Sequence, residues 1–524
     1  MASEAKQSRD CFVANNAPRN DNSKQKKGIT GMQPKLTLLS EEVLPRIIDE
    51  AYQLMLKPGI KVQNAEARKL LADAGAQVDQ ETFVVRLPEQ VVKTALSTVP
   101  QKFHLYDYDG NPKVEYGGDT VQYDPGSSGV TILDPETFEH KTTETQDLIK
   151  LIKVAEQIPQ YDAQSTAVVC DDVPRDLHDL YRLYLVMLYS KKPIVTGAFT
   201  NNTVHHMIHM LAIFAGGHDK LREKPRAIFD VCPSPPLIWS NFGAGNLIAL
   251  ARAGVPAEIV SMPLAGAAAP VTLLGAVTQH AAECLSGITI HQLANPGSPI
   301  VWGGAPAIFD MRKGGTPMGA VETAMIDSSY AQVGKSLGLP THAYLGTTES
   351  KVLDMQAGLE SGMGALIGAL SGINMISGSG MLDSLLCQSP EKLVIDAEGV
   401  AMAKRMLGGM MIHTDTLATG FYDQNINFRG GDFLKQKVTM QLFRKEQHIP
   451  GTVIDRDSIR GWKEGGSLDT FERAKIRVKE LLASYTKPEL DPAKVEELHT
   501  FVLDLAQKAG MDTLPEQNLS PVPA

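Results

Sequence analysis

SPIVWGGAPAIFDMRKGGTPMG (298–319), GLPTHAYLGTTESKVLDMQAG (338–358) and SGINMISGSGML (371–382) decide the fold. The apolar runs Pro299–Trp302, His342–Leu345 and Ile373–Ile376 each stop at or within two residues of a glycine. Each is followed by a loop and a helix-like segment, which is the rhythm of parallel strands feeding helices. Such folds place their chemistry just past the strands' C-terminal ends. The loops here hold no nucleophile motif, no close metal cluster and no phosphate loop. They carry Trp302, Phe309, Arg312, His342, Tyr344 and Glu349 instead, a set suited to binding and orienting a small ligand.

Working outward, the same alternation runs from Thr120 to Ser379. Strand candidates are Thr120–Tyr123 or Val130–Leu133, then Ser165–Val169, Pro193–Ala198, Ala227–Val231, Ala257–Met262, Ile300–Trp302, His342–Leu345 and Asn374–Ile376. Helix-like stretches such as Glu144–Gln157, Leu177–Tyr189, Thr203–Ala215 and Thr272–Leu293 lie between them. With the first pair counted once, this predicts an α/β chain built on a (β/α)₈ TIM barrel. Its strand ends near Tyr123, Gly197, Cys232, Pro263, Gly303, Gly346 and Gly378 should share one rim. The alternative is an open doubly wound sheet, but no GxGxxG follows the first strand.

Residues 1–34 read as a disordered tail, 35–115 as an N-terminal α+β cap, 116–485 as the barrel with C-terminal helices, and 486–524 as a short helix and loose tail. In the cap, Val43, Ile47, Ile48, Ala51 and Leu54 make a helical stripe. After the barrel come a helix at Pro390–Gly408, an aromatic, polar loop at Phe421–Phe433 and a charged helix near Leu468–Tyr485.

The 524 residues are 43% hydrophobic and 21% charged, enough to bury a large core. A net charge of −10 argues against nucleic acid or an anionic membrane as the main partner. Five scattered cysteines without a CxxC pair read as reduced thiols in a cytoplasmic protein. No apolar run reaches the roughly 18–20 residues of a membrane span.

His205, His206 and His209 form an H-H-x-x-H, with His205 and His209 on one helical face as zinc sites require, but no third ligand is evident. Asp176-Leu-His178 resembles the start of a cobalamin-ligating D-x-H-x-x-G signature, yet Tyr181 stands where glycine belongs. Neither supports a resident metal or corrinoid. Trp302, Phe309, Tyr330 and Tyr344, with Tyr123, are candidates for an aromatic box around a quaternary ammonium, each ring worth about 0.5–2 kcal/mol; the alternative is core packing. Arg312 is a candidate carboxylate ligand, or the partner of Asp310. His342 and Glu349 are the candidate catalytic groups.

Several motifs in order carry a family resemblance. SMPLAGAAAPVTLLGAVTQH (Ser261–His280), Phe309-Asp-Met-Arg312, Ala331-Gln332, Gly338-Leu-Pro340, Glu349-Ser-Lys351, Asp354-Met-Gln-Ala-Gly358 and Leu393-Val-Ile-Asp396 resemble the trimethylamine:corrinoid methyltransferase family over about residues 35–485. The resemblance implies a barrel that moves a methyl group from an amine to the cobalt of a separate corrinoid protein, with no cofactor bound in this chain, and suggests a homo-oligomer. The family's trimethylamine enzymes contain pyrrolysine; this chain shows none. That points to the branch acting on quaternary amines such as glycine betaine, proline betaine and carnitine, in one-carbon metabolism of the methanogenic or acetogenic kind. Other readings are a non-catalytic betaine-binding barrel and a zinc-dependent methyltransferase using His205 and His209.

Overall fold

The computed structural model describes residues 33–200, 203–414, 416–422 and 433–518. The expected tail lies almost wholly outside these residues, as does most of the aromatic loop. The chain divides into two units, one of 34–407 with 448–524 and one of 1–33 with 408–447.

The larger unit is built on eight strand–helix pairs. Strands β1 (Gln122–Pro125), β2 (Gln164–Ser165), β3 (Ile194–Gly197), β4 (Ala227–Val231), β5 (Ala257–Ser261), β6 (Ile300–Gly304), β7 (His342–Tyr344) and β8 (Met375–Ser379) alternate with helices α1 (Thr145–Glu156), α2 (His178–Tyr189), α3 (Thr203–Ala215), α4 (Asn241–Ala253), α5 (Leu273–Ala294), α6 (Val321–Ser336), α7 (Met355–Leu370) and α8 (Pro390–Leu407). Strands β2 to β6 form one parallel ladder, and β7, β8 and β1 another. Both joins are hydrogen-bonded. Trp302 N–H donates to Pro340 O at 2.9 Å and Asp162 N–H to Tyr123 O at 2.8 Å, while parallel bridges pair Trp302 with Thr341 and Gly129 with Val168. The ladder therefore closes into a (β/α)₈ barrel.

Being covered on both faces, the strands read as near-continuous apolar runs. Side-chain caps mark the helix starts: Ser240 accepts from Gly243 N–H at 2.9 Å and Asp354 from Ala357 N–H at 3.0 Å. Of the two first-strand candidates, the barrel uses the earlier one. Thr131–Leu133 instead joins a small outer sheet with Cys387–Gln388 and His140–Thr142.

The N-terminal cap packs helices Val43–Leu56, Ala65–Asp73 and Glu89–Leu96 against α5, which is buried along most of its length. A hairpin, Phe103–Tyr106 with Pro112–Tyr116, then plugs the barrel's N-terminal mouth. Its Leu105, Val114 and Tyr116 pack on Ala163, Val195, Ile228, Val301 and Met375.

Beyond α8, helix Thr470–Ser484 packs on α8 and α1. Of the region expected to form a short helix and loose tail, residues 486–518 are described. Pro492–Lys508 is a 17-residue helix capped by Asp491 and packed on α2 and α3, with Leu498, Val502 and Ala506 buried at four-residue spacing. Glu516 then receives hydrogen bonds from Tyr181 and Tyr184.

In the smaller unit, helix Lys437–Glu446 has no buried residue, and Tyr422 meets Phe433 edge-on at 5.3 Å.

Candidate active site

Alternation along the strands decides which residues face the barrel axis. Two positions beyond the plugged layer stand Ser165, Gly197, Asp230, Gly303 and Ser377. Asp124 from β1, Glu258 from β5 and His342 from β7 join them. The His342 Nδ1 atom lies 2.6 Å from Glu258 Oε1, although the angles are not those of a hydrogen bond. On its other side His342 Nε2 is 2.9 Å from Ser377 Oγ, which donates to Asp124 Oδ1 at 2.5 Å. One layer higher, Tyr344 Oη donates to Asp230 Oδ2 at 2.9 Å and lies 3.4 Å from Ser127 Oγ. Cys232, Val260 and Ala305 complete this upper layer, with Met318 and Leu385 beside it.

Gly303 makes the central contact possible. A Cβ there would sit 2.8 Å from Ile259 O and 3.1 Å from both Glu258 Cγ and His342 Nδ1.

Three carboxyls thus share one buried space with a single imidazole. Burial pushes Asp124 and Asp230 well above the usual carboxylate range, and the neighbouring acids push them further. Burial alone raises Glu258 to about 8 and lowers His342 to about 4. Each of these shifts favours the uncharged form of its group. With the carboxyls ionised, Asp124 Oδ2, Asp230 Oδ1, both oxygens of Glu258 and Tyr116 Oη are buried without a hydrogen-bond partner; a proton on Glu258 links it to Asp230 and Tyr116. Unpaired buried oxygens are costly, and a cation would satisfy them.

The residues expected from sequence divide into three groups. His342 and Tyr344 face the axis, ring to ring at 4.8 Å. Tyr123, Trp302 and Tyr330 lie outside the strand cylinder, under the helices. Tyr123 Oη donates to Ala365 O at 2.9 Å. Trp302 Nε1 donates to Tyr330 O at 3.0 Å, and Tyr330 Oη bridges Gly304 O and His342 O while its ring stacks on His280 at 4.1 Å. These three make no common box with Tyr344, because each sits one strand position away from an inward residue or on a helix.

Phe309, Arg312 and Glu349 belong to the rim loops. Phe309 is half-buried after β6. The Arg312 side chain is 86% exposed and forms a fork with Asp310 at 2.8 and 3.1 Å, so it does not reach the axis. Glu349 ties three loops together. Its Oε1 accepts from Met318 and Gly319 N–H at 2.7 and 3.2 Å, and its Oε2 accepts from Ser384 at 2.5 Å.

Asp124, Asp230, Glu258, Ser377 and Tyr116 escaped the sequence reading. Their signal was an acid inside an otherwise apolar strand, as in AIFDV (227–231) and AEIVS (257–261): a strand buried on both faces tolerates a carboxyl only for a reason. His205 and His209 are exposed on α3, with His209 against Phe501 at 4.8 Å. Among the described residues no three His, Cys, Asp or Glu side chains are placed to hold a metal ion together, and no helix is long and apolar enough to cross a membrane.

The sequence matches the family model described as trimethylamine methyltransferase over residues 6–510. The chain belongs to that family. Trimethylamine methyltransferase MttB of Desulfitobacterium hafniense (strain DSM 10664 / DCB-2) is 29% identical over 456 residues, covering 87% of this chain and 91% of that protein. MttB of Methanosarcina thermophila is 30% identical over 465 residues, covering 87% and 95%. A glycine betaine methyltransferase of Desulfitobacterium hafniense (strain Y51) is 29% identical over 479 residues, covering 91% and 98%. Membership makes the chain a methyltransferase.

Proposed function

We propose that this chain moves a methyl group from a small quaternary amine to the Co(I) corrinoid of a separate protein. The observation that carries the reading is the set of buried carboxyls, Asp124, Asp230 and Glu258, beneath the Tyr344 ring at the strands' C-terminal end. An ammonium head there meets carboxyl oxygens from below and an aromatic face from the side.

The chemistry asks little more. A quaternary nitrogen leaves as a neutral tertiary amine, so no proton has to be delivered for the C–N bond to break. The electron pair of that bond stays on nitrogen while the acceptor's pair forms the new bond to carbon. The protein's task is to align the methyl group with the mouth and exclude water. Val260, Ala305 and Met318 supply the apolar wall. The rim loops fit an apolar, planar acceptor: Val130, Phe199, Met262, Met311 and Leu386, after β1, β3, β5, β6 and β8, are all exposed. The corrinoid is thus a second substrate carried by a partner protein, and no cofactor is assigned to this chain. Because one relative is named a glycine betaine methyltransferase, betaines belong in the first panel with simpler ammonium ions.

The test mixes the purified chain with a Co(I) corrinoid and, in turn, tetramethylammonium, choline, glycine betaine, proline betaine, carnitine and trimethylamine. Methylation of the corrinoid, followed by its absorption spectrum, is expected with at least one quaternary amine. Binding of an amine without methylation by any corrinoid would leave a binding module, and silence across the panel would remove the reading.

A further inference from the structure

Two observations about the same pocket bear on which amine it takes. The inward positions carry three acids and one imidazole, and no lysine or arginine. From β1 comes Asp124, from β4 Asp230 and Cys232, from β5 Glu258, from β7 His342 and Tyr344, from β8 Ser377, and from the plug Tyr116. The inward positions of β2, β3 and β6 at that level, Ser165, Gly197 and Gly303, titrate nowhere. With the carboxyls ionised, four of these groups have a buried oxygen with no hydrogen-bond partner: Asp124 Oδ2, Asp230 Oδ1, both oxygens of Glu258 and Tyr116 Oη.

Four cations of the barrel and its rim loops are committed elsewhere. Arg182 is buried, but its Nη2 is 3.1 Å from Asp179 and its Nη1 donates to Ser128 Oγ and Thr166 O. Lys392 is bound to Asp396 and Ser361, both at 2.6 Å. Lys351 pairs with Asp383 at 3.1 Å. Arg312 points to solvent beside Asp310.

We propose that this pocket takes a small ammonium ion that carries no carboxylate, and takes it in exchange for a proton of the Asp230–Glu258 pair. The inference rests on the reading of the barrel mouth as an amine site and narrows it. An empty pocket keeps its acids protonated because nothing else neutralises them in a buried space. An ammonium head supplies that charge, and one carboxyl then ionises against it. A betaine brings its own carboxylate into the same space, where it meets three acids and no guanidinium or ammonium group. Charge complementarity therefore favours tetramethylammonium, choline and similar ions over glycine betaine and carnitine. The direction of the pH effect follows. Proton and cation compete, so affinity rises with pH and levels off near the value of about 8 to which Glu258 is raised.

Isothermal titration calorimetry on the full chain tests this, at pH 7 in phosphate and in Tris, whose different ionisation heats reveal proton release. The probes are tetramethylammonium, choline, glycine betaine and carnitine. Tetramethylammonium or choline should bind at least about tenfold tighter than either betaine, with close to one proton released. Asp230→Asn and Glu258→Gln, checked for folding by melting temperature, should each weaken that binding about tenfold or more and reduce the protons released. Betaines that bind as tightly as the simple cations overturn the proposal. So does binding without proton release, or no binding by either simple cation. Methyl transfer separates this inference from the proposed function. Selective, proton-coupled cation binding with no corrinoid methylation leaves the ligand class standing and sinks the reaction. Demethylation of a betaine, with tetramethylammonium and choline inert, does the reverse.

Discussion

Tyr123 and Asp124 are neighbours in the chain, as are Phe229 and Asp230, and Trp302 and Gly303. The first of each pair faces out from its strand, under the helices; the second faces the axis. The outer set is satisfied: Tyr123, Trp302 and Tyr330 each place their polar atom on a backbone oxygen. The inner set keeps unpaired oxygens and acids raised by burial. Outer residues hold the strand cylinder to its helices, and inner residues hold chemistry in reserve. A single residue's shift along a strand separates the two roles.

The comparison breaks if substitutions fail to sort by face. The largest expected effect is on the outer face. Trp302→Ala removes a fully buried indole and its hydrogen bond, and should destabilise the fold by about 3–5 kcal/mol in denaturant titration. Methyl transfer should fall only with the folded fraction. On the inner face, Asp230→Asn keeps the shape and removes the ability to ionise. Methyl transfer should drop by about 2 kcal/mol, some 30-fold, while melting temperature holds or rises, since a desolvated acid is lost. If Asp230→Asn unfolds the chain while Trp302→Ala spares stability and stops transfer, the two faces have been assigned the wrong way round.

Gly303→Ala sharpens the comparison, since it sits where the faces meet. Its methyl group would press on Glu258 and His342, costing about 1–3 kcal/mol of stability and slowing transfer beyond that loss.

A pH series reads the buried titratable groups, the inner set together with Asp327, Glu283, His280 and His291. Folded Glu258 keeps its proton up to about 8 against an ordinary 4.5, so stability falls as pH rises across that window. His342, lowered to about 4 from 6.5, works the other way: stability rises between those values, as only the unfolded chain binds the proton. The two effects offset each other up to about pH 6.5. Between about 6.5 and 8 a decline of about 1.4 kcal/mol per pH unit remains, to which the raised Asp124 and Asp230 add. Chemical denaturation across that range should show it, and Glu258→Gln should flatten it. The smallest effect belongs to the rim: Arg312→Ala, exposed beside Asp310, should leave both melting temperature and transfer unchanged.

The fold was legible because glycine-ended apolar runs repeat with helices between them, and a closed parallel barrel is what that rhythm builds. The helix Pro492–Lys508 was also written in the chain, in the four-residue spacing of Leu498, Val502 and Ala506, but the prolines around it drew the eye. Of the site, His342 and Tyr344 could be picked out as polar groups in a glycine-ended strand. Tyr123 and Trp302 could not be assigned a face, because a strand buried on both sides shows no alternation of polar and apolar residues. Asp124, Asp230 and Glu258 were visible as acids in apolar runs, yet their convergence depends on barrel closure, which joins β1 to β8 across some 250 residues of chain.

The plug at Phe103–Tyr116 sets the order in which the pocket comes into being. The ribosome makes the stopper before any of the walls it will seal, and Gln122, at the start of the first wall, reaches back to Glu115 O and across to Asn374 O at 3.0 Å each. The apolar face of that hairpin, Leu105, Val114 and Tyr116, is not fully covered until the eighth strand brings Met375, some 260 residues later. Folding is therefore gated by a late, long-range closure. A chain cut just before β1 would lose the bottom of its pocket, however complete its barrel sequence remained.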